Sequence, residues 1–273
     1  MSLQLPPIGL GTWRLNGNAA QAAIQAAVDC GYRLIDSAAS YGNETAVKRA
    51  VRDCGIIRSD LFISGKLWNT KRQYDDAIAS CKQSLKRLGL DYFDLYLVHW
   101  PASPALYENW RDINAECWQA METLKRDGLA KSIGVCNFLP RHLEELQKTA
   151  GEMPAANQVE LHPGFLNAET VSYCHARGIA VEAWSPLGEG SLLQNETLAG
   201  VASKHRKTTA QICLRWCIQH SAVPLPKSAD ATRIRQNYDV FGFMLDDGDM
   251  ALIDAMPFSG GAGYDPDTIT IFG

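Results

Sequence analysis

From about residue 32 to the C-terminus, short apolar runs alternate with longer amphipathic stretches, and that alternation constrains the fold more than any other feature. The runs are YRLIDSA, DLFISGKL, YFDLYLVHW, AKSIGVCNF, NQVELH, IAVEAWS, AVPLPKS and DVFGF. Near-continuous apolar runs suit parallel strands covered on both faces, whereas a half-exposed strand would alternate polar and apolar residues. Between them ETAVKRAVRDCG, YDDAIASCKQSLKRLG, ENWRDINAECWQAMETLKRDG, LPRHLEELQKTAG, AETVSYCHARG, TTAQICLRWCIQH and DATRIRQN read as helices, with DDGDMALIDAM after the last run. Several close on glycine or late basic residues, which stop a helix. Strand and helix in turn make βα units with right-handed crossovers. Eight such units close into a (β/α)8 TIM barrel, an α/β fold with parallel strands inside and helices outside. A helix over 18–31 is expected before the first of these strands, as a crossover partner or a lid on the barrel floor. PPIGLG ahead of it has room for little more than one strand. An open doubly wound sheet is the alternative, but its G-x-G-x-x-G fingerprint is absent, as are Walker A and HExxH motifs.

The chain has 273 residues, no Pro/Ser-rich linker and no break in composition, so one domain is expected over residues 1–273. Barrels of this kind commonly run to about 250 residues. A net charge of −4 and a pI near 5.9 argue against nucleic acid and anionic membranes as partners. MSLQLPPIGL lacks the basic head and apolar stretch of a secretory signal, so a soluble, cytoplasmic protein is expected, as a monomer. Eight cysteines without a CxxC pair read as reduced thiols. Cys213 and Cys217 have no further ligand at metal spacing and read as core residues, so no metal is expected. Lys204-His205-Arg206-Lys207 falls where a helix over ETLAGVASKH would end, and cations there complement the helix dipole.

In this barrel class the chemistry sits at the C-terminal ends of the strands, where the βα loops gather. The first run ends at Asp36, with Tyr41 in the loop beyond. The following runs end at Lys66, at His99, at Asn137, at Gln158 and Glu160, at Trp184 and Ser185, and at Lys227 and Ser228. Each alone has a plain structural reading: His99 in the core, Lys66 in solvent, Asp36 as a helix cap, Tyr41 as a wall residue. Their convergence on one barrel mouth points to a site, and the first four suit one reaction. Carbonyl reduction needs hydride at carbon and a proton at oxygen. Tyr41 can give that proton. A free phenol has a pKa near 10, and the Lys66 ammonium close by would lower it, with Asp36 holding Lys66 in place. His99 can hydrogen-bond the carbonyl oxygen and stabilise the charge that develops there.

GYRLIDSAASYGNE, LYLVHWP with KSIGVCNF, and PLPKSADATRIRQN resemble the successive signatures of the aldo-keto reductases. The resemblance extends from GLGTWRL to the C-terminal segment. It implies that Asp36, Tyr41, Lys66 and His99 form the catalytic tetrad, and that the cofactor is an extended NADPH bound without a Rossmann motif. It also implies that Asn137 and Gln158 meet the nicotinamide carboxamide, Trp184 stacks on the ring, and Ser185 and Leu187 meet the pyrophosphate. Lys227, Ser228, Arg233, Gln236 and Asn237 take the adenosine end, and Gly11, Thr12 and Trp13 approach the nicotinamide ribose, with Asp36 among the cofactor contacts. Lys227 and Arg233 can neutralise a 2′-phosphate that Ser228 hydrogen-bonds, which favours NADPH over NADH. The sequence departs from the family pattern in Trp184 for a common tyrosine, Cys136 for a frequent serine, Gln236 for a frequent glutamate, and a short N-terminal arm.

Trp13, Trp68 and Trp100 are expected to wall an aromatic substrate pocket around Tyr41 and His99. The glycine-rich SGGAGYDPDTITIFG is expected to drape over the mouth as a mobile loop. The short tail resembles that of small bacterial members, which implies small aldehydes, α-dicarbonyls or keto-sugars as substrates. A regulatory or structural homologue that binds cofactor with little turnover would be signalled by loss of a tetrad member, and all four are in place. A sugar isomerase or hydrolase on the same barrel would want paired carboxylates or a metal cluster, which Asp36 and Glu160 alone do not supply.

Overall fold

The structure, a computed structural model, describes residues 3–269. Eight parallel strands follow one another around the sheet in chain order. They are β1 (Gly9–Gly11), β2 (Leu34–Asp36), β3 (Phe62–Leu67), β4 (Phe93–Val98), β5 (Ala130–Cys136), β6 (Ala156–Glu160), β7 (Ala180–Trp184) and β8 (Ala222–Pro224). Crossover helices run outside: α1 (Gly17–Cys30), α2 (Glu44–Asp53), α3 (Tyr74–Leu88), α4 (Trp110–Arg126), α5 (Pro140–Gln147) and α6 (Ala168–Ala176). Two helices, α7 (Glu196–His205) and α8 (Thr209–Gln219), join β7 to β8; α9 (Ala231–Tyr238) and α10 (Asp247–Asp254) follow β8. This is the expected (β/α)8 barrel, with one correction to which segments form its strands.

DVFGF is not a strand. Val240 is buried against the core, Phe241 points outward, and the segment turns directly into α10. Its composition suits a strand, but the barrel already has eight, because GLG near the N-terminus supplies β1. The helix over 18–31 is therefore α1, the crossover from β1 to β2 rather than an element ahead of the barrel.

The residues at the closing seam account for its brevity. Leu225 N donates to the Ala183 carbonyl of β7 at 3.0 Å, so the alternate residues Pro224 and Pro226 turn their ring nitrogens toward β1. Proline has no N–H to give, and only its carbonyl can take part in that ladder. Gly11 N accordingly donates to the Pro226 carbonyl at 3.0 Å. The approach is close: a Cβ on Gly11 would lie 3.1 Å from the Leu225 carbonyl oxygen, and one on Gly9 would meet the Leu34 and Leu225 side chains.

Side chains on register partners in neighbouring strands point the same way, which divides the inside of the barrel into layers. Leu95, Leu97, Ala156 and Cys136 form a buried apolar cluster, with Leu3 and Leu5 of the N-terminal arm packed against it. Asp36, Ser64, Lys66, Gln158 and Glu182 occupy inward positions on β2, β3, β6 and β7, all buried. The larger core lies between strands and helices, where Trp118, Met121, Leu124 and Trp216 are buried. Cys213 and Cys217 are part of it. Lys204 and His205 at the end of α7 pair with Asp249, the lysine at 2.7 Å and the histidine at 2.6 Å. Among the described residues no helix is long and apolar enough to cross a membrane.

Candidate active site

β2 and β3 bring the first group of candidates together. Lys66 is 1% exposed and its Nζ donates to both Asp36 oxygens at 2.6 Å, to the Ser37 carbonyl at 3.0 Å and to Tyr41 Oη at 3.2 Å. Ser64 Oγ adds a hydrogen bond to Asp36 Oδ1 at 2.8 Å. The backbone behind Asp36 is fixed as well, because Thr12 N and Oγ1 donate to its carbonyl at 3.0 and 2.9 Å. An ion pair this deep persists only when its spare lone pairs and protons are satisfied. Ser64, the Ser37 carbonyl and Tyr41 meet that condition.

Tyr41 sits in a short 3-10 turn after β2, and its ring stands edge-on to His99, with centroids 6.0 Å apart. Desolvation dominates its chemistry. It raises the phenol to about 12, while the Lys66 ammonium pulls the other way. The expected downward pull of Lys66 is therefore present but overridden by burial, a term that motif spacing does not reveal. For Lys66, burial is the largest single influence and lowers the pKa, but the attraction and hydrogen bonds of Asp36 together with the contributions of Tyr41 and Cys136 outweigh it, and the ammonium is held firmly. Burial and the nearby Lys66 charge push His99 well below its ordinary value, so its imidazole is neutral.

β5, β6 and β7 supply the second group. The chain leaves β5 and β7 through left-handed residues, Asn137 at φ 62° and Ser185 at φ 48°, which turns it sharply at the mouth. Trp184 Nε1 donates to Asn137 Oδ1 at 2.7 Å, and Asn137 Nδ2 donates to the His99 carbonyl at 3.1 Å. Gln158 Nε2 lies 3.1 Å from Asp36 Oδ1 and 3.0 Å from Glu182 Oε2.

These groups open onto a single cavity of about 970 Å³ that runs from Tyr41 to α9. Tyr41, Trp68, His99 and Trp100 wall one end, with Trp13 at the rim. Asp36, Asn137, Gln158, Trp184 and Gly11 line the middle, and Ser185 and Leu187 lead outward. Lys227, Ser228, Arg233, Gln236 and Asn237 close the far end, where Arg233 Nε reaches Ser228 Oγ at 3.4 Å. Two candidates stand back from the wall: Lys66 lies behind Tyr41, and Thr12 is buried against Asp36. Glu160 lies outside this cavity; it pairs with His162 at 3.2 Å and accepts from Ala262 N at 2.8 Å. That contact ties the C-terminal segment to the mouth. Tyr264 of the segment stands edge-on to Trp100 at 6.0 Å and lines the cavity, while 270–273 lie outside the described residues.

Residues 7–257 match the Aldo/keto reductase family. The chain belongs to that family. It is 44% identical to the glyoxal reductase of Bacillus subtilis strain 168 over 268 residues, covering 98% of this chain and 94% of that protein. Among solved structures, an aldo/keto reductase from Brucella melitensis is 43% identical with a TM-score of 0.86, covering 92% of this chain and 93% of that one. A Bombyx mori aldo-keto reductase in complex with NADP is 35% identical with a TM-score of 0.84, covering 92% and 88%. Aldo/keto reductases generally use a nicotinamide cofactor. The cavity suits one: its volume lies in the range of roughly 300–1,000 Å³ typical of ligand sites, with a flat indole in the middle and two cationic residues at the far end.

Three features of the site escape the motif reading. Ser64 lies two residues before Lys66, on the same face of β3, and that period-two relation could have revealed it. Lys207 lines the cavity while its Nζ pairs with Asp239 at 2.6 Å, so the end of α7 is more than a cationic helix terminus. Glu182 interrupts the apolar run IAVEAWS, and a lone carboxyl inside such a run was the signal for it.

Burial raises Glu182 to about 7, with the Asp36 carboxylate adding to the effect. The folded protein therefore keeps a proton here that the unfolded chain has released. Stability is lost as pH climbs from the ordinary carboxylate range to about 7, by an amount on the order of 3 kcal/mol. Glu182→Gln should remove this loss, giving a Tm advantage over wild type that grows between pH 5 and 8. A pH-independent difference in thermal denaturation would show that Glu182 titrates as an exposed acid does.

Proposed function

We propose that the protein is an NADPH-dependent reductase of small aldehydes, α-dicarbonyls or keto-sugars, with Tyr41 as the general acid. The observation that carries this reading is the chain of contacts from Asp36 through Lys66 to Tyr41 Oη, ending beside a neutral His99 at the cavity wall. A reduced nicotinamide supplies the hydride when bound; the protein's own residues manage the proton. As negative charge develops on the carbonyl oxygen, Tyr41 Oη transfers its proton there, and the resulting phenolate is stabilised by Lys66 Nζ at 3.2 Å. The neutral imidazole of His99 offers a hydrogen bond to the same oxygen without competing as an acid. Solvent then restores the Tyr41 proton. Trp13, Trp68, Trp100 and Tyr264 narrow the entrance, which favours small carbonyl compounds. The similarity to a glyoxal reductase supports the α-dicarbonyl class. Following NADPH absorbance across a panel of these carbonyl compounds tests the reading. Purified protein that binds NADPH yet oxidises it with none of them would refute it.

The preference for NADPH rests on Lys227, Arg233 and Ser228. Asp230 Oδ1 accepts from Arg233 N at 2.8 Å and caps α9, which fixes the backbone from which the guanidinium extends. A 2′-phosphate carries nearly two charges, and each charge-assisted hydrogen bond to it contributes about 1.5–3 kcal/mol, or roughly ten- to a hundredfold in affinity. Arg233→Ala should weaken NADPH binding by that factor and NADH binding much less, with the gap narrowing as salt rises. Equal losses for both cofactors in titrations would remove Arg233 from the phosphate.

A further inference from the structure

Glu182 is the buried group that the proton chemistry above does not use. It faces Gln158 across the β6–β7 ladder, where the two are register partners, and it is 0% exposed. Among the described residues its Oε1 has no hydrogen-bond partner, and no cation is paired with it. A carboxyl held this way costs stability, and an apolar side chain of similar size would pack there at less expense. What it does have is Gln158 Nε2 at 3.0 Å, and the same nitrogen lies 3.1 Å from Asp36 Oδ1.

A primary amide has two N–H groups and one oxygen, and its two ends are equivalent in shape but opposite in hydrogen-bonding sense. Two carboxyl groups on the nitrogen side use both N–H groups of Gln158. The end left to face the cavity is the acceptor Oε1. Across the cavity the sense is reversed. Asn137 Oδ1 already accepts from the Trp184 indole, and Asn137 Nδ2 keeps a second N–H beyond its bond to the His99 carbonyl. One side of the site thus accepts and the other donates, which is the complement of a carboxamide.

We propose that Glu182 is a positioning residue of the cofactor site. With Asp36 it fixes the orientation of the Gln158 amide, so that Gln158 reads the N–H side of a nicotinamide carboxamide. This rests on the nicotinamide-cofactor reading above. Asp36 still accepts one N–H of the amide; without Glu182 the second N–H is unheld, the amide plane swings about that single bond, and Oε1 loses its aim at the carboxamide N–H.

Fluorescence titration with three ligands tests the idea. NADPH carries the carboxamide; its 3-acetylpyridine analogue has a methyl group where the amide nitrogen stands; 2′,5′-ADP lacks the nicotinamide altogether. Wild type should bind NADPH about tenfold more tightly than the analogue. Glu182→Leu should weaken NADPH about tenfold and abolish that discrimination while leaving 2′,5′-ADP within twofold. Glu182→Gln, which keeps an acceptor oxygen, should restore most of the NADPH affinity. Glu182→Ala reads the same quantities should leucine prevent folding. A wild type indifferent to the amide would overturn the proposal without any variant. So would a Leu or Ala variant with unchanged affinities, or one that loses NADPH and 2′,5′-ADP equally, as general distortion would cause. A wild type that binds neither NADPH nor 2′,5′-ADP would remove the cofactor reading itself, a distinct result.

Discussion

Tyr41→Phe is expected to lower kcat for carbonyl reduction by about 10²–10⁴, the usual contribution of a positioned general acid, while the Kd for NADPH stays within about twofold. The substitution deletes one oxygen and keeps the ring that stands against His99. Lys66 loses its contact at 3.2 Å but retains both Asp36 oxygens and the Ser37 carbonyl. The pocket therefore keeps its charge and shape, and the loss is confined to the proton. His99 cannot substitute, since its imidazole is held neutral well below the ordinary histidine pKa. For the same reason His99 should add no inflection to the rate between pH 6 and 8. Measuring turnover and cofactor titration on one preparation checks both halves. A variant that retained more than a few per cent of wild-type turnover would take the acid role away from Tyr41.

The barrel was legible in the sequence because burial on both faces makes a strand nearly all apolar, and seven of the eight runs mark real strands. The eighth failed for a physical reason. GLG is too short and too poor in side chains to carry a hydrophobic signal, because the seam demands glycine where β1 meets Leu225. DVFGF has the strand-like side chains and no partner strand to pair with. The site was legible where a charged or amide group ends an apolar run, as at Asp36, Lys66, His99 and Asn137. Strand spacing cannot reveal the sum of opposing terms in a buried cluster. The ammonium beside Tyr41 was foreseeable from sequence, whereas the larger desolvation that lifts the phenol to about 12 depends on packing in three dimensions. Glu182 carries no such end-of-run signal, because it lies two residues before the end of β7, one layer below the mouth.

Lys66→Met should combine two losses that a second substitution can separate. Turnover should fall by about 10³ or more, because the ammonium that stabilises the Tyr41 phenolate is gone and desolvation of the phenol is left unopposed. Stability should fall by about 3–5 kcal/mol, the usual result of removing one partner from a buried ion pair. The second loss belongs to Asp36, which retains Ser64 and Gln158 as donors but no cation. Adding Asp36→Asn removes the stranded charge and should recover most of the stability. It should recover none of the turnover, since the acid still lacks its ammonium. Thermal denaturation and turnover of the single and double variants separate these effects. If turnover returned together with stability in the double variant, Lys66 would serve only to neutralise Asp36, and the proton chemistry assigned to the Asp36–Lys66–Tyr41 chain would be wrong.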